Sequence, residues 1–528
     1  MGKAWDYVIV GAGSAGSTLA GRLSENPERT VLLIEAGGWD TSPLIGIPGL
    51  LERALTSDTL NWSYVGEADA SLDGRRLTWA AGRAIGGSSS INGMVYGRGL
   101  PIDYDRWVEA GNPGWGWQDM LPYFKRLEHW TGGPGASRGS GGPLWVRRFE
   151  ETDAACAATM DALVRLGAPS VEDYCSGIVE GVDVTQATQR RGWRHSAASA
   201  YLHPARSRRN LSVLTGAVAL NLLFEGPRCT GVKVARRGRL LTLHAERETI
   251  VCAGAIGTPK LLMLSGVGPA DSLKSHGIAV RLDLPGVGAN LNDHVNIKLS
   301  AFVDRKTYNT KRSGLSALSA GMRLLAFGSG PASSPANHVQ AFVRTDPTSP
   351  HADVQLQVMP FGFGTPADMA RDGVTVVVSP CHPEVRGRVS LRGADPAVPP
   401  RIEIALLEPA RDRMKLLRGC KLAALALQEG PGRSMGGRLY APTQAEPTDA
   451  EWLAFFRRTA ALNWHPTSTC RMGPGPDAVV DNALSIHGLS GVRIVDASVM
   501  PTVTSANTNA PVIAIAERAA DMIAARTT

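Results

Sequence analysis

Asp6-Tyr7-Val8-Ile9-Val10-Gly11-Ala12-Gly13-Ser14-Ala15-Gly16-Ser17-Thr18-Leu19-Ala20-Gly21-Arg22-Leu23, with Thr30-Val31-Leu32-Leu33-Ile34-Glu35 a few residues on, is the stretch whose reading decides the fold. The continuous apolar runs at its two ends predict strands buried on both faces, as in a parallel sheet. Leu19, Ala20 and Leu23 between them fall at helical spacing. The stretch therefore reads as one βαβ unit. Gly11, Gly13 and Gly16 make the pattern G-x-G-x-x-G at the first strand-to-helix turn. Glycine there lets the backbone turn tightly, approach a pyrophosphate and pack helix on strand, while the helix N-terminus offers N–H groups to the phosphate. Glu35, ending the second strand, is placed to accept hydrogen bonds from a ribose. A ligand-free glycine turn is the bland alternative, and the complete βαβ context argues against it. The unit points to a dinucleotide and does not by itself choose between NAD and FAD.

Around this unit, 528 residues at roughly 100–200 per domain imply two to four units. With 43% hydrophobic positions the chain is globular rather than disordered, and 59 glycines imply many tight turns. A net charge of +7 spread without a clustered basic stripe argues against nucleic acid as a partner. No window approaches the ~18 apolar residues of a membrane span, and the chain runs from Met1 into its first strand with no leader pattern, so a cytoplasmic location is expected. The seven cysteines are scattered, without a CxxC pair. They form neither a disulfide framework nor a zinc site, no metal is expected, and a reducing compartment is the natural reading.

Residues 37–80 read as a loop-rich excursion, 107–127 as mostly helical and 132–142 as a glycine-rich connector. Strands are expected at 211–214, 231–234, 240–243 and 249–252. Alternating runs at 354–359, 374–379 and 387–391 predict antiparallel strands. An amphipathic helix is expected at 411–428, a strand at 492–495 and a helix at 510–525. Such a chain, α/β at both ends and antiparallel between, predicts an interrupted two-domain enzyme.

Two further motifs carry chemistry. Gly82-Arg83-Ala84-Ile85-Gly86-Gly87-Ser88-Ser89-Ser90-Ile91-Asn92 can pass close to a flat ligand and supply small donors. Gly254-Ala255-Ile256-Gly257-Thr258-Pro259, continuing to Ser265-Gly266-Val267-Gly268, reads as a strand end turning into a short helix. With these residues the sequence resembles the glucose-methanol-choline (GMC) oxidoreductases along essentially its whole length, most of all the choline-dehydrogenase and hydroxymethylfurfural-oxidase branch. The resemblance implies an α/β, α+β overall, fold: a Rossmann-like FAD-binding domain (1–155, 205–300 and 455–528) interrupted by a substrate domain with an antiparallel sheet (156–204 and 301–454). It implies FAD, with Gly11, Gly13, Gly16 and Glu35 at the ADP half. Gly86, Ser88, Asn92 and Gly93 would lie along the pyrophosphate and flavin ring, Val218 at the adenine and Asp496 at the central portion. Ile91 stands where some members attach flavin through a histidine, so the cofactor should be held without a covalent link.

The same resemblance places the chemistry in Asn463-Trp464-His465-Pro466 and Ser505-Ala506-Asn507-Thr508-Asn509. His465 matches the catalytic histidine, and an imidazole of ordinary pKa near 6.5 suits removal of a hydroxyl proton near neutrality. Asn507 matches the second catalytic position, where an amide can hold the substrate oxygen. Asn509 is either a flavin-edge contact or a helix-entry residue. His294 and the Cys381-His382-Pro383-Glu384-Val385-Arg386 turn are read as structural, the latter holding its sheet by ion pairs. The expected reaction is FAD-dependent oxidation of a primary alcohol, with hydride passing to flavin N5. Its rivals are an FAD-containing hydroxynitrile lyase, an alcohol oxidase using O2, and a nicotinamide dehydrogenase that would leave the later motifs unexplained. Phe302, Asn463 and Trp464 are expected at the substrate pocket. With no acidic residue in 296–303, an aryl or otherwise apolar alcohol is expected rather than choline. Polar Asn463, ordering water near the flavin, favours a quinone-like acceptor over O2, unless its amide merely caps a local turn.

Overall fold

The computed structural model describes residues 4–177, 180–311, 314–364, 366–440 and 447–525. One seven-stranded sheet has the order Leu211–Leu214, Val31–Ile34, Ala4–Val10, Arg239–Val251, Arg228–Arg236 and Ala217–Glu225, with Val492–Ile494 added beside Arg239–Val251. The pairings from Leu211–Leu214 through Ala4–Val10 to Arg239–Val251 and Val492–Ile494 are parallel, and the other two strands close an antiparallel meander. The opening βαβ unit forms with helix Ser14–Leu23, whose Leu19 and Leu23 enter the same core as Ile513 and Ile515 of helix Asn509–Ala525.

The two strands expected at 240–243 and 249–252 are one, Arg239–Val251. Its first half pairs with the meander and its last residues with Val492–Ile494, while the charged stretch between them keeps the pairing with Ala4–Val10 on the other side. His244, Glu246 and Arg247 are exposed around buried Ala245, which makes that stretch a strand edge and not a turn. The helical reading of 107–127 is likewise corrected. Helices Pro101–Glu109 and Trp117–Leu127 are split at Gly111 and Gly114, whose φ of +90° and +84° no helix accommodates. The loop-rich excursion carries short helices Pro43–Gly46 and Leu51–Leu55 and a hairpin, Tyr64–Asp69 with Arg75–Trp79.

The second seven-stranded sheet runs Arg438–Leu439, Val295–Phe302, Gly373–Pro380, Val354–Met359, Val339–Val343 and Gly181–Val184, antiparallel at every pairing, with Ala461–Leu462 beside the start of Val295–Phe302. Strand alternation sends Ile297, Leu299, Val376, Val378, Leu356 and Ala341 to one face, where they share a core with Leu416, Cys420 and Ala423 of helix Ala410–Leu427. The other face presents Asn296, Lys298, Ser300, Thr375, Ser379, Gln355 and Gln357, and all but Lys298 are buried. A polar sheet face turned inward needs internal partners, and it looks onto the cavity described below. Val295–Phe302 crosses the limit expected at residue 300, because its pairing with Gly373–Pro380 runs on unbroken to Phe302.

All seven cysteines are buried free thiols. Among the described residues, no helix is long and apolar enough to cross a membrane.

Candidate active site

A cavity of about 1730 Å³ runs from the glycine turn of the first sheet to the polar face of the second. It exceeds the roughly 300–1,000 Å³ of an ordinary small-ligand pocket. At one end lie Gly11, Gly13, Glu35 and Val218; along it Ser88, Asn92, Gly93 and Asp496; at the other end Asn463, Trp464, His465, Asn507 and Asn509. Two glycine loops meet in its floor. Gly11, at φ +102°, has no room for a side chain, since a Cβ would lie 2.4 Å from the Cys252 carbonyl oxygen. Gly87, at φ +53°, would bring a Cβ within 2.6 Å of Gly13 Cα. Gly16 and Gly86 do not line the cavity. A Cβ on Gly16 would meet Gly11 O at 1.9 Å and one on Gly86 would meet Ser90 Oγ at 2.2 Å, so both act by allowing close packing behind the wall.

Glu35 takes Ala12 N–H at 3.0 Å and Gly37 N–H at 2.8 Å, bridging the two turns. Burial pushes its carboxyl up to about 7, against the pull of these donors and of Arg83. Asp496 accepts from Gly254 N, Thr258 Oγ1 and Ser498 N, at 2.8, 2.6 and 2.8 Å, and joins two turns in the same way. Of the serine run, Ser88 is exposed to the cavity, while Ser89 and Ser90 donate back to Gly86 O and Ile85 O. Asn509 begins the C-terminal helix and its Oδ1 accepts from Ser14 Oγ at 2.7 Å.

His465 is set by a zipper between 292–294 and 463–467. Asn463 N–H donates to His294 O at 3.0 Å, Thr467 N–H to Asn292 O at 2.9 Å, and His465 N–H to Asp293 Oδ1 at 2.8 Å. Asp293 Oδ2 takes the Trp79 indole N–H at 2.9 Å, and burial pushes this carboxyl up to about 7. Trp464 is held at φ +59°, a left-handed conformation that costs a bulky residue about 1–3 kcal/mol. Its indole N–H donates to Thr78 O at 2.8 Å, and the contacts on either side of it hold the strain in place.

The side-chain bonds run in one direction. His294 Nε2 is 3.3 Å from Cys381 O, which can only accept, so this nitrogen carries hydrogen. Burial holds His294 down at about 4, so it is neutral and its Nδ1 is an acceptor. His465 Nδ1, 3.0 Å away, must then donate to it. His465 is itself held well below its ordinary pKa, by burial and then by His294, and keeps a lone pair at Nε2. Asn507 Nδ2–H donates to that lone pair at 3.1 Å, and Asn507 Oδ1 accepts from Gln357 at 3.3 Å. The chain leaves His465 Nε2 as an acceptor facing the Asn507 amide N–H, so that a hydroxyl entering between them would meet an acceptor on one side and a donor on the other.

The sequence models of one family, GMC oxidoreductase, match residues 5–296 and 383–516. The chain is a GMC oxidoreductase. It is 39% identical over 524 residues to an "Oxygen-dependent choline dehydrogenase" of Rhizobium johnstonii, covering 98% of this chain and 95% of that protein. It superposes on pyridoxine 4-oxidase from Mesorbium loti with a TM-score of 0.90 at 34% identity over 98% of each chain. An FAD-dependent oxidoreductase from Chaetomium thermophilum gives a TM-score of 0.90 at 26% identity over 99% of each. This GMC oxidoreductase uses FAD, and the residues present fit it: a cradle closed to any Cβ at Gly11 and Gly87, a carboxylate at the strand end, and a cavity long enough for a dinucleotide plus a small substrate. Ile91, at the possible attachment position, is buried among Ile45, Ala54, Leu60 and Ala84 and has no nucleophile.

In this GMC oxidoreductase several sequence expectations change. His294 is more than a core histidine, because it touches His465 directly. His465 is held not near 6.5 but well below it, by burial and then by His294. Phe302 does not line the cavity: its ring packs on Tyr440 at 5.4 Å under the Arg371 guanidinium, at the far end of its strand. Asn463 lines the cavity, but its amide is spent on Asn296 and Ser379, both at 2.8 Å. In the 381–386 turn the ion pairs are His382 with Asp103, 2.5 Å, and Glu384 with Arg411, 3.1 Å, while Arg386 donates to the carbonyls of Pro383 and Val385. Sequence reasoning missed Asp293, Gln357 and Arg194. Arg194 Nη1 donates to Asn92 O and Oδ1, both at 2.8 Å, and so fixes the loop along the cavity. The polar triplet Asn292-Asp293-His294 before an alternating strand was the available signal for Asp293. Nothing marked Arg194 among the arginines around it.

Proposed function

We propose that this GMC flavin-dependent alcohol oxidoreductase converts a primary alcohol with an aryl or otherwise apolar body to its aldehyde. His465 Nε2 takes the hydroxyl proton, Asn507 Nδ2–H holds the oxygen, and the carbon bearing it faces the flavin. Bound FAD supplies the hydride acceptor. The observation that carries this reading is the one-way chain from Gln357 through Asn507 and His465 to His294 and Cys381 O, which leaves Nε2 as the acceptor. A neutral imidazole fits the task of accepting a proton as the hydride leaves. His465 N–H held by Asp293 keeps the ring from drifting, and Gln357 keeps the amide from turning its oxygen to the substrate.

The pocket wall supports an aryl body. Phe361 and Phe363, with ring centroids 5.1 Å apart, and Met359 line it. Choline is disfavoured in this reading, because the cavity-lining carboxylates are Glu35, Glu52 and Asp496, and none belongs to the sheet wall beside His465. Of the aromatic faces that could hold a quaternary ammonium instead, Phe363 already carries the Lys298 ammonium, 4.3 Å from its centre. The division of the chain into FAD-binding and substrate-binding segments, near the limits expected from sequence, is part of the same proposal.

Anaerobic mixing of the holoenzyme with benzyl-type alcohols and with choline tests it. Bleaching of the flavin by the aryl alcohols with higher efficiency than by choline is expected. Absence of bleaching with any alcohol would leave a non-redox role such as hydroxynitrile cleavage. Reoxidation of substrate-reduced enzyme by air-saturated buffer and by a quinone analogue, run side by side, decides the acceptor.

A further inference from the structure

The polar face of the second sheet holds one cation without a counter-ion, Lys298. The other polar side chains around it bond to one another, and the acceptors Asn296 Oδ1 and Gln355 Oε1 on this face are left without a partner among the described residues. Ser300 and Thr375 hydroxyls are 2.7 Å apart, Asn296 donates to Asn463 at 2.8 Å, and Asn463 to Ser379 at 2.8 Å. Lys298 instead lines the cavity, and its ammonium lies 4.3 Å from the centre of the Phe363 ring. Of the other cavity cations, Arg76 and Arg392 pair with Glu67, Lys260 donates to the Pro396 carbonyl at 2.6 Å with Asp395 nearby, and Arg83 lies over the Trp62 ring at 4.8 Å, away from the second sheet. Among the described residues no carboxylate pairs with Lys298, and burial alone holds its pKa below the usual lysine value.

Its position relates to the chemistry through the sheet register. Lys298 pairs with Val377, and Val377 with Gln357, so the three stand in one row on one face. Gln357 is the residue that orients Asn507. Lys298 therefore stands two strand spacings, roughly 10 Å, across the wall from it. An aromatic ring lies beside the ammonium, at Phe363, and a second at Phe361.

We propose that Lys298 is a specificity-determining residue that receives a carboxylate at the far end of the substrate, so that the preferred substrates are aryl or apolar primary alcohols carrying one negative charge. The inference rests on the alcohol-oxidation reading above and sharpens it. A half-buried ammonium without a counter-ion is only partly solvated, and a single carboxylate supplies the missing partner through a charge-assisted hydrogen bond. The same ammonium repels a cationic alcohol.

The test compares 4-(hydroxymethyl)benzoate with its methyl ester on the holoenzyme, by anaerobic flavin reduction, in the parent, Lys298→Met and Lys298→Arg. The carboxylate should be favoured at least tenfold in kcat/KM in the parent, chiefly through KM. The ratio should fall about tenfold or more in Lys298→Met and survive in part in Lys298→Arg. A parent ratio near one, or a ratio unchanged in Lys298→Met, overturns the proposal. A parallel measurement does not depend on turnover: titration of the oxidised holoenzyme with benzoate and with benzamide, followed by the flavin spectrum. Tighter benzoate binding that is lost in Lys298→Met supports the subsite even if neither alcohol reduces the flavin, in which case only the alcohol reading fails. Equal binding of the two, with FAD content intact, overturns it.

Discussion

The two sheets bring function to the cavity in opposite ways. The first, covered on both faces, works at its strand ends, where backbone N–H groups and glycines without side chains make the surface a cofactor can approach. The second keeps an apolar face for helix Ala410–Leu427 and turns a face of side chains inward, where hydroxyls and amides are placed by one another. Each has one buried carboxylate that burial pushes to about 7, Glu35 in the first and Asp293 beside the second, and each carboxylate grips backbone N–H. The lesson is that binding here is written in backbone and chemistry in side chains, so the two should fail separately.

The largest separation is expected at His465. His465→Ala should lower the rate of flavin reduction by about 10²- to 10⁴-fold, the usual cost of losing a general base, while FAD stays bound. Stopped-flow reduction and the flavin-to-protein absorbance ratio measure both, and loss of flavin together with activity would break the comparison. His294→Leu removes the acceptor for His465 Nδ1–H. A fall of about 10- to 100-fold is expected, as when an orienting partner of an imidazole is lost. Because His294 helps to hold the His465 pKa down, the acidic limb of the reductive rate should also move toward neutrality; in the parent that limb lies well below pH 6.5, with a flat profile above it.

On the side of the first sheet, Gly11→Ala places a Cβ against Cys252 O at φ +102°. The strain, about 1–3 kcal/mol, should appear as a lower melting temperature and reduced FAD content, with turnover per bound flavin nearly unchanged. The smallest effect concerns Glu35 in the cofactor-free protein. Its folded pKa, about 7, lies above the ordinary carboxyl value of 4.5, so the native state holds the extra proton between these limits. Stability contributed by this group is therefore present below pH 4.5 and is lost as pH rises toward 7. Asp293 acts in the same direction from 3.8. Thermal melts of apo-protein between pH 4.5 and 7.5 should show this slope, and Glu35→Gln should flatten it; an unchanged slope would assign the dependence elsewhere.

The same contrast explains what could be read from the sequence. Glycine motifs leave a local mark, so Gly11, Gly13 and Glu35 were placed from their spacing, and Val354–Met359 and Ala410–Leu427 follow their hydrophobic periods. The polar face of the second sheet leaves no such mark, because alternation looks the same whether polar residues meet water or a cavity. Lys298 was passed over for that reason. The His294–His465 contact joins residues 171 apart, and neither neighbourhood contains the other's geometry. Phe302 went wrong because counting along a strand cannot show where the cavity stops.

The sealed cysteines turn the molecule into a record of its own openings. Burial pushes Cys175 up to about 12, and Cys252, Cys381, Cys420 and Cys470 also lie well above the ordinary thiol range. A thiolate-seeking reagent should find almost nothing to modify in the native chain, and each alkylation should date a moment when a part came apart. Cys252 sits behind the glycine turn and Cys381 at the end of the histidine chain, so the order in which mass spectrometry finds these two labelled would time which half of the cavity loosens first.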